Sequence, residues 1–233
     1  MTTQTMIAIP LTDTLYQRIQ TLCTGLHQAK PSLSQEAGHL MSEVACQIVD
    51  EVFLTLVQRF QQASDSPTYQ DSIKTIEEVK AVMRKYLSWA IGLFSNERLS
   101  PVADYYQSII HPAVVRGRAA PYLVFALPAN VAQAAHQSLE DLQQRRVPNA
   151  VAAIEGLIQV IDVGIDQLLK EPKRLLKFNL VVDKTLNGVI NMTTSMSYKS
   201  LRKLGAHLEQ PLFDPLVEHL QAFLVQQSDL KAI

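Results

Sequence analysis

Residues 72–94, SIKTIEEVKAVMRKYLSWAIGLF, carry the pattern that decides the fold. Their apolar side chains recur every three or four positions, which is the spacing of one face of an α-helix. The same spacing recurs along nearly all of the chain, and no stretch shows the clear alternation that is typical of a half-buried strand. We therefore predict an all-α fold, an antiparallel bundle of about eight helices, several of them long.

The composition of the chain indicates a folded globular protein. Of its 233 residues, 47% are apolar and 18% are charged, and no linker or change of composition divides them. We treat residues 1–233 as a single all-helical domain. The net charge of −1 gives no general attraction to nucleic acid or to an anionic membrane. We see neither a signal peptide nor an apolar stretch that is long enough to span a bilayer, so we expect a cytoplasmic location.

Prolines suggest where helices begin and end. Ser100 and Pro101 are predicted to start a helix, and the pair Pro148 and Asn149 is predicted to start another. Glu171 and Pro172 are predicted to break a helix. Residues 111–121 (HPAVVRGRAAP) have no regular pattern and are interpreted as irregular. Residues 121–128 (PYLVFALP) fit either a short buried helix or a strand.

Glu36, His39 and Glu43 have the spacing with which helical bundles hold iron or manganese. On a helical wheel, however, they share a face with glutamines, while Val44 and Ile48 lie in the opposite arc. Metal ligands in bundles point inward, and no second Glu-x-x-His is present in the chain. We therefore interpret the three residues as a solvent-facing strip and predict neither a metal site nor a cofactor.

The two cysteines are predicted to be reduced and buried. Cys23 and Cys46 both lie among apolar residues of predicted helices, and two cysteines cannot form a disulfide framework. Cys23 and His27 are four residues apart, within reach of a thiol–imidazole pair. His27 points away from the apolar face, however, and nothing nearby supplies an orienting acid, so we do not assign the pair a catalytic role.

A second acidic stripe and a C-terminal histidine also have simple structural interpretations. Glu155, Gln159, Asp162 and Asp166 lie on one side of an otherwise apolar helix, where a polar stripe faces water. His219 is interpreted as a surface residue near the start of the last helix. We predict no catalytic residue, and an enzyme is the third of our three functional hypotheses.

Residues 185–198, TLNGVINMTTSMSY, form a charge-free stretch of a long predicted helix. Small uncharged polar groups suit close contact between helices, including a dimer interface, and they also suit a pocket for a small ligand. Both alternatives remain open at this point. The candidate ligand-binding residues on this face are Asn187, Asn191, Thr194, Ser195 and Tyr198.

Basic residues concentrate in residues 168–204, where eight lysines and arginines face two acids, whereas residues 31–80 are net acidic. Such a segment can pair with acids of the same chain, with the acidic patch of a partner, or with phosphate or nucleic acid; aromatic residues for base stacking are scarce, which disfavours nucleic acid. The candidate interaction patch comprises Lys170, Lys173, Arg174 and Lys177.

Our first functional hypothesis is a non-catalytic, cytoplasmic protein of bacterial type that acts by protein–protein interaction. It would be a regulatory or adaptor module and a homodimer through a long helix. The alternative is a helical sensor that binds a small molecule through the uncharged face from Asn187 to Tyr198.

Overall fold

The computed structural model describes residues 4–28, 31–64, 66–144, 150–206 and 208–232. The described chain is mainly helical and several helices are long, which confirms the predicted helical fold. The assignment of the whole chain to one domain stays a prediction. The helices are α1 (Asp13–His27), α2 (Ser34–Val49), α3 (Thr55–Ala63), α4 (Pro67–Ile91), α5 (Asn96–Ile109), α6 (Ala129–Gln143), α7 (Ala150–Ile165), α8 (Glu171–Leu176), α9 (Leu180–Ala206) and α10 (Phe213–Phe223).

Two π-helical segments join consecutive helices without interrupting them. Asp50–Leu54 connects α2 to α3, so that one continuous helix corresponds to the long second helix predicted from the sequence. Asp166–Lys170 connects α7 to α8. The break predicted at Glu171 and Pro172 is therefore wrong, because the helical backbone continues from the π-helical segment through Pro172 into α8.

Two other predicted helix starts have different outcomes. α5 begins at Asn96, and Pro101 lies inside it, so the start predicted at Ser100 is wrong. The start predicted at Pro148 and Asn149 lies outside the described residues.

A five-stranded antiparallel sheet, which the periodicity did not predict, covers one side of the helices. Its strands follow the order β4-β1-β3-β2-β5. The assignment of residues 111–121 as irregular is wrong, because they belong to the hairpin of β2 and β3, and residues 121–126 of the ambiguous segment are strand. The strands are β1 (Thr5–Pro10), β2 (Ile110–Val115), β3 (Arg118–Ala126), β4 (Leu224–Gln226) and β5 (Lys231–Ala232).

The hairpin turn explains how β2 and β3 pair so closely. Arg116 and Gly117 form its two-residue loop, and their φ angles are 51° and 82°. Two consecutive positive φ angles match the right-handed twist of the strands on either side, and glycine adopts such an angle without steric cost.

The sheet presents one face to the helices. Ile7, Ile9 and Phe125 belong to the same apolar cluster as the buried residues of the helices. Residues of the alternate register, such as Ala8 and Val124, form a separate cluster on the opposite face. The central strands β1 and β3 are therefore buried on both faces, which places the first face directly against the interior described next.

Candidate ligand-binding cavity

An apolar cavity of about 240 Å³ lies between the sheet and the helices. The sheet contributes Ile9 and Phe125, α2 and α4 contribute residues such as Val49 and Met83, and α7 and α9 contribute the largest shares of the wall. This volume exceeds that of an engineered apolar cavity of about 150 Å³ that binds benzene, and it approaches the lower end of ordinary ligand pockets. The interior can therefore hold an apolar molecule larger than benzene.

Both π-helical segments contribute to the wall of this cavity. Val52 and Phe53 come from the first segment, and Leu168 and Leu169 come from the second. A π-helical turn is wider than an α-helical turn, is rare, and occurs frequently at functional sites. The presence of two widened turns in the wall indicates that the cavity is a feature of the fold.

Pro172 has no backbone N–H, so it removes one donor that would otherwise reach a carbonyl of the second π-helical segment. Two tyrosines of α5 donate to carbonyl groups of this segment. The Tyr106 hydroxyl donates to the Leu168 carbonyl over 2.7 Å, and the Tyr105 hydroxyl donates to the Gln167 carbonyl over 2.9 Å. Burial raises the pKa of the Tyr106 hydroxyl, which therefore stays protonated as a donor.

His219 of α10 plays a similar part at the first π-helical segment. Its side chain is only 2% exposed, so the interpretation as a surface histidine is wrong. Its Nε2 donates to the carbonyl of Val52 over 2.8 Å. Burial lowers the pKa of His219 from 6.5 to about 4, so the ring is neutral at pH 7.

The polar groups on the cavity wall lie mainly on α9. Thr193, Thr194, Ser197 and Tyr198 line the cavity. The Thr193 hydroxyl donates to backbone carbonyls of its own helix. Lys173 also lines the cavity, but its ammonium group is paired with the carboxylate of Asp183 over 2.7 Å. The wall is thus apolar, with a small number of hydroxyl groups on one side.

The five candidate ligand-binding residues divide into two groups in the structure. Thr194 and Tyr198 line the cavity, whereas Asn191 and Ser195 are exposed beside them. Asn187 lies elsewhere on α9, where its side chain accepts a hydrogen bond from Lys173 over 2.7 Å. Asn187 is therefore apart from the other four candidate residues, and of those four only Thr194 and Tyr198 border the cavity.

A surface groove runs along α9 next to the cavity, and we call it the α9 groove. Thr194 and Tyr198 belong to both the cavity wall and this groove. The Tyr198 hydroxyl donates to the carboxylate of Asp162 on α7, and burial together with this bond raises its pKa. The α9 groove is lined by Asn191, Thr194, Ser195, Tyr198, Lys199 and Arg202.

Three residues of the candidate interaction patch form ion pairs with acids of the same chain. Lys170 pairs with Asp166, Lys173 with Asp183, and Arg174 with Glu171, each over 2.7 Å. Lys177 ends α8 in a left-handed conformation. The geometry of the first three matches the alternative in which the segment pairs with internal acids. Contact between this patch and a partner stays a prediction.

Glu36, His39 and Glu43 are all exposed on α2, which confirms their interpretation as a solvent-facing strip. Glu43 forms an ion pair with Arg18 of α1. Among the described residues, no group of three or more histidine, cysteine, aspartate or glutamate side chains is arranged to hold a metal ion.

Both cysteines are buried free thiols, as predicted. Burial raises the pKa of the Cys23 thiol to about 11, which keeps it protonated at neutral pH. His27 pairs with Asp104 over 2.8 Å and not with this thiol, so the expectation that no acid lies near His27 is wrong. Cys23 and His27 therefore do not form a nucleophile–base pair.

Glu155 and Asp162, from the acidic stripe of α7, interact with residues of α9. Arg202 donates two hydrogen bonds to Glu155 over 2.7 and 3.0 Å, and Tyr198 bonds to Asp162. The stripe therefore joins two helices beside the α9 groove as well as facing water.

Comparison of the chain with protein-family models, curated proteins and solved structures finds no match. In the part of the chain that the structure describes, no helix is long and apolar enough to cross a membrane. The features available for a functional argument are thus the cavity, the two π-helical segments that border it and the α9 groove.

Proposed function

We propose that this protein binds a small, largely apolar molecule in the cavity between the sheet and helices α2, α4, α7 and α9. The observation that carries the proposal is the size and lining of the cavity, about 240 Å³ walled mainly by aliphatic and aromatic side chains. Protein interiors are normally packed as densely as organic crystals, so a cavity of this size requires an explanation.

The energetic cost of such a cavity supports a bound molecule. Unfilled apolar volume inside a protein is unfavourable, because the side chains around it lose packing contacts. An apolar molecule that fills the cavity regains the lost contacts, and its binding adds to the free energy of unfolding.

Two glycines provide a matched test. Gly164 lines the cavity, and a Cβ added there would lie 3.6 Å from the ring of Phe125, an ordinary contact. Gly188 of α9 is exposed, and an added Cβ would have no neighbour within 4 Å. Gly164→Leu should therefore fill part of the cavity, whereas Gly188→Leu should leave it open.

The experiment measures, by equilibrium dialysis, the binding of naphthalene, an uncharged apolar fluorescent dye whose size matches the volume of the cavity. We expect saturable binding to the wild type. The affinity should be at least about tenfold lower in Gly164→Leu and unchanged in Gly188→Leu. Circular dichroism checks that both variants keep their helices. Failure of the wild type to bind the dye, or equal losses in both variants, would contradict the proposal.

Self-association is the second candidate function, and exposed apolar residues favour it. Trp89 and Leu93 at the end of α4, and Leu180 and Val181 at the start of α9, are between 44% and 72% exposed. These helix ends meet where the ring of Phe94 packs against that of Phe178, with centroids 4.8 Å apart. A second copy of the chain would cover apolar surface there, which lies outside the uncharged face of residues 185–198 where the sequence suggested a dimer interface.

Sedimentation equilibrium tests this second candidate. Replacing Leu180 and Val181 with lysine should convert a dimer into a monomer, because contact would then bury two unpaired charges. Val151→Lys is the matched control, since Val151 is an equally exposed apolar residue of α7. A wild type that sediments as a monomer at high concentration would contradict the candidate. A regulatory or adaptor role and a cytoplasmic, bacterial setting stay predictions.

A further inference from the structure

The place where the cavity meets the surface indicates which chemical class of ligand the cavity binds. This inference rests on the proposed function. Thr194 and Tyr198 border the cavity on one side and the α9 groove on the other. A molecule held in the cavity therefore reaches the surface between α7 and α9. Whatever polar group it carries will lie beside these two residues.

Two hydroxyl groups of α9 on the cavity wall, those of Thr194 and Ser197, are available to a ligand. In the described part of the chain, the hydroxyls of Thr194 and Ser197 form no hydrogen bond, whereas the neighbouring Thr193 hydroxyl is bonded to its own helix. Both residues line the cavity. A hydroxyl group can donate one hydrogen bond and accept others, so the pair suits an uncharged group with the same capacity.

The charges around the α9 groove disfavour an ionic group of either sign. Arg202 is held by both carboxylate oxygens of Glu155, and Asp162 accepts the Tyr198 hydroxyl. Lys199 is exposed on the same groove. These two carboxylates and two basic side chains balance in charge, so together they attract an ion of neither sign, and an ionic group of either sign would lose hydration on entering.

The volume of the cavity sets the size of the apolar part. An apolar cavity of about 150 Å³ holds the six carbon atoms of benzene, so 240 Å³ corresponds to roughly nine or ten carbon atoms. We propose that the ligand is an uncharged amphiphile, with an apolar body of this size in the cavity and a hydroxyl or amide group at Thr194 and Ser197.

Isothermal titration calorimetry with three ligands of equal chain length tests the inference. 1-Decanol, decanoate and decylammonium differ only in their head groups, and each is used below its limit of solubility or micelle formation. We expect 1-decanol to bind at least about tenfold more tightly than either ion at neutral pH. A decanoate or decylammonium affinity equal to or above that of 1-decanol would overturn the inference.

Variants of α9 test the assigned position. Thr194→Val keeps the shape of the side chain and removes its hydroxyl, so it should lower the affinity for 1-decanol several-fold and leave the dye affinity unchanged. Thr185→Val is the control, because Thr185 lies on the same helix outside the cavity wall and bonds to the carbonyl of Val181. Equal effects of both variants would overturn the assignment.

The two proposals fail in distinguishable ways. If the protein binds the dye but binds 1-decanol no more tightly than the two ions, the cavity proposal is supported and the inference about the head group is wrong. If neither the dye nor any decyl compound binds, both proposals fall.

Discussion

The two sides of α4 are packed in opposite ways. On the side that faces α2, a Cβ added to Gly38 would lie 2.7 Å from the carbonyl oxygen of Ser88, so the two backbones are as close as they can be. On another side, Met83 and Leu87 border the central cavity. One helix thus takes part in a very close backbone contact, between Ser88 and Gly38, and also in the wall of the cavity. The void is therefore a local feature, since the helix beside it is firmly packed.

The largest effect is expected at the tight side. Gly38→Val should lower the free energy of unfolding by roughly 3 kcal/mol or more, because the added carbons meet backbone atoms that cannot move aside. Gly188→Val, at an exposed position of α9, should change it by less than about 1 kcal/mol. Urea unfolding monitored by circular dichroism compares them. Similar unfolding midpoints would show that α2 and α4 are less closely packed than described.

The pH dependence of stability tests the support of the first π-helical segment. The folded state keeps His219 neutral down to about pH 4, whereas the unfolded chain takes up the proton near pH 6.5. The contribution of His219 to the free energy of unfolding is therefore fully present above pH 6.5. As the pH falls to about 4, up to about 3 kcal/mol of it is lost. Arg59 contributes to the lowered pKa, after burial.

Urea unfolding at a series of pH values between neutral and about 4.5 measures this loss. His219→Gln should show a flatter dependence, because glutamine can donate to the Val52 carbonyl but does not titrate. His39→Gln, at an exposed position of α2, should keep the wild-type dependence. If His219→Gln and the wild type lose stability in parallel, His219 is not the source of the acid sensitivity.

A smaller effect is expected at the second π-helical segment. Tyr106→Phe leaves the buried carbonyl of Leu168 without its donor and should lower the free energy of unfolding by about 1–2 kcal/mol. Tyr105→Phe should cost less, because Tyr105 is only partly buried and water can replace its hydroxyl at Gln167. Thermal and urea unfolding distinguish the two variants, and an equal loss would contradict this difference.

The smallest effect compares a cavity glycine with an exposed one. Gly164→Ala and Gly188→Ala should each stabilise their helix by up to about 1 kcal/mol, because alanine has the higher helix propensity. Gly164→Ala should gain a further few tenths of a kcal/mol to about 0.8 kcal/mol from contact between its methyl group and Phe125. Equal melting temperatures would indicate that Gly164 does not face the cavity.

The helices were predictable because their apolar residues repeat with the helical period. Ile76, Val79 and Ala90 of α4 are buried as the pattern of that segment requires. The strands were not predictable from the sequence. β1 and β3 are buried on both faces, so they lack the alternation of apolar and polar residues that is typical of a half-buried strand. Their pairing also depends on residues far away in the sequence, which a local pattern does not contain.

The candidate site was predictable only in part. The absence of charge between Thr185 and Tyr198 directed attention to α9, and two of the five candidate residues do line the cavity. The π-helical segments have no local signature, since they depend on donors from other helices. The position of His219 could have been deduced, because it lies three residues after the buried Leu216 on the apolar face of α10.

The pairing of β1 has a consequence for how the chain acquires its fold. Ile7 of β1 pairs with Phe125 on one side and with Leu224 on the other. A ribosome must therefore release the chain as far as Phe125 before β1 has its first neighbour, and as far as Leu224 before it has the second. The nearby pairs α1 with α5 and α2 with α4 can form earlier, since closing a shorter loop costs less entropy. Until synthesis reaches β4, an apolar strand with an unpaired edge is open to mispairing, and chaperones that shield such edges would raise the yield of folded protein.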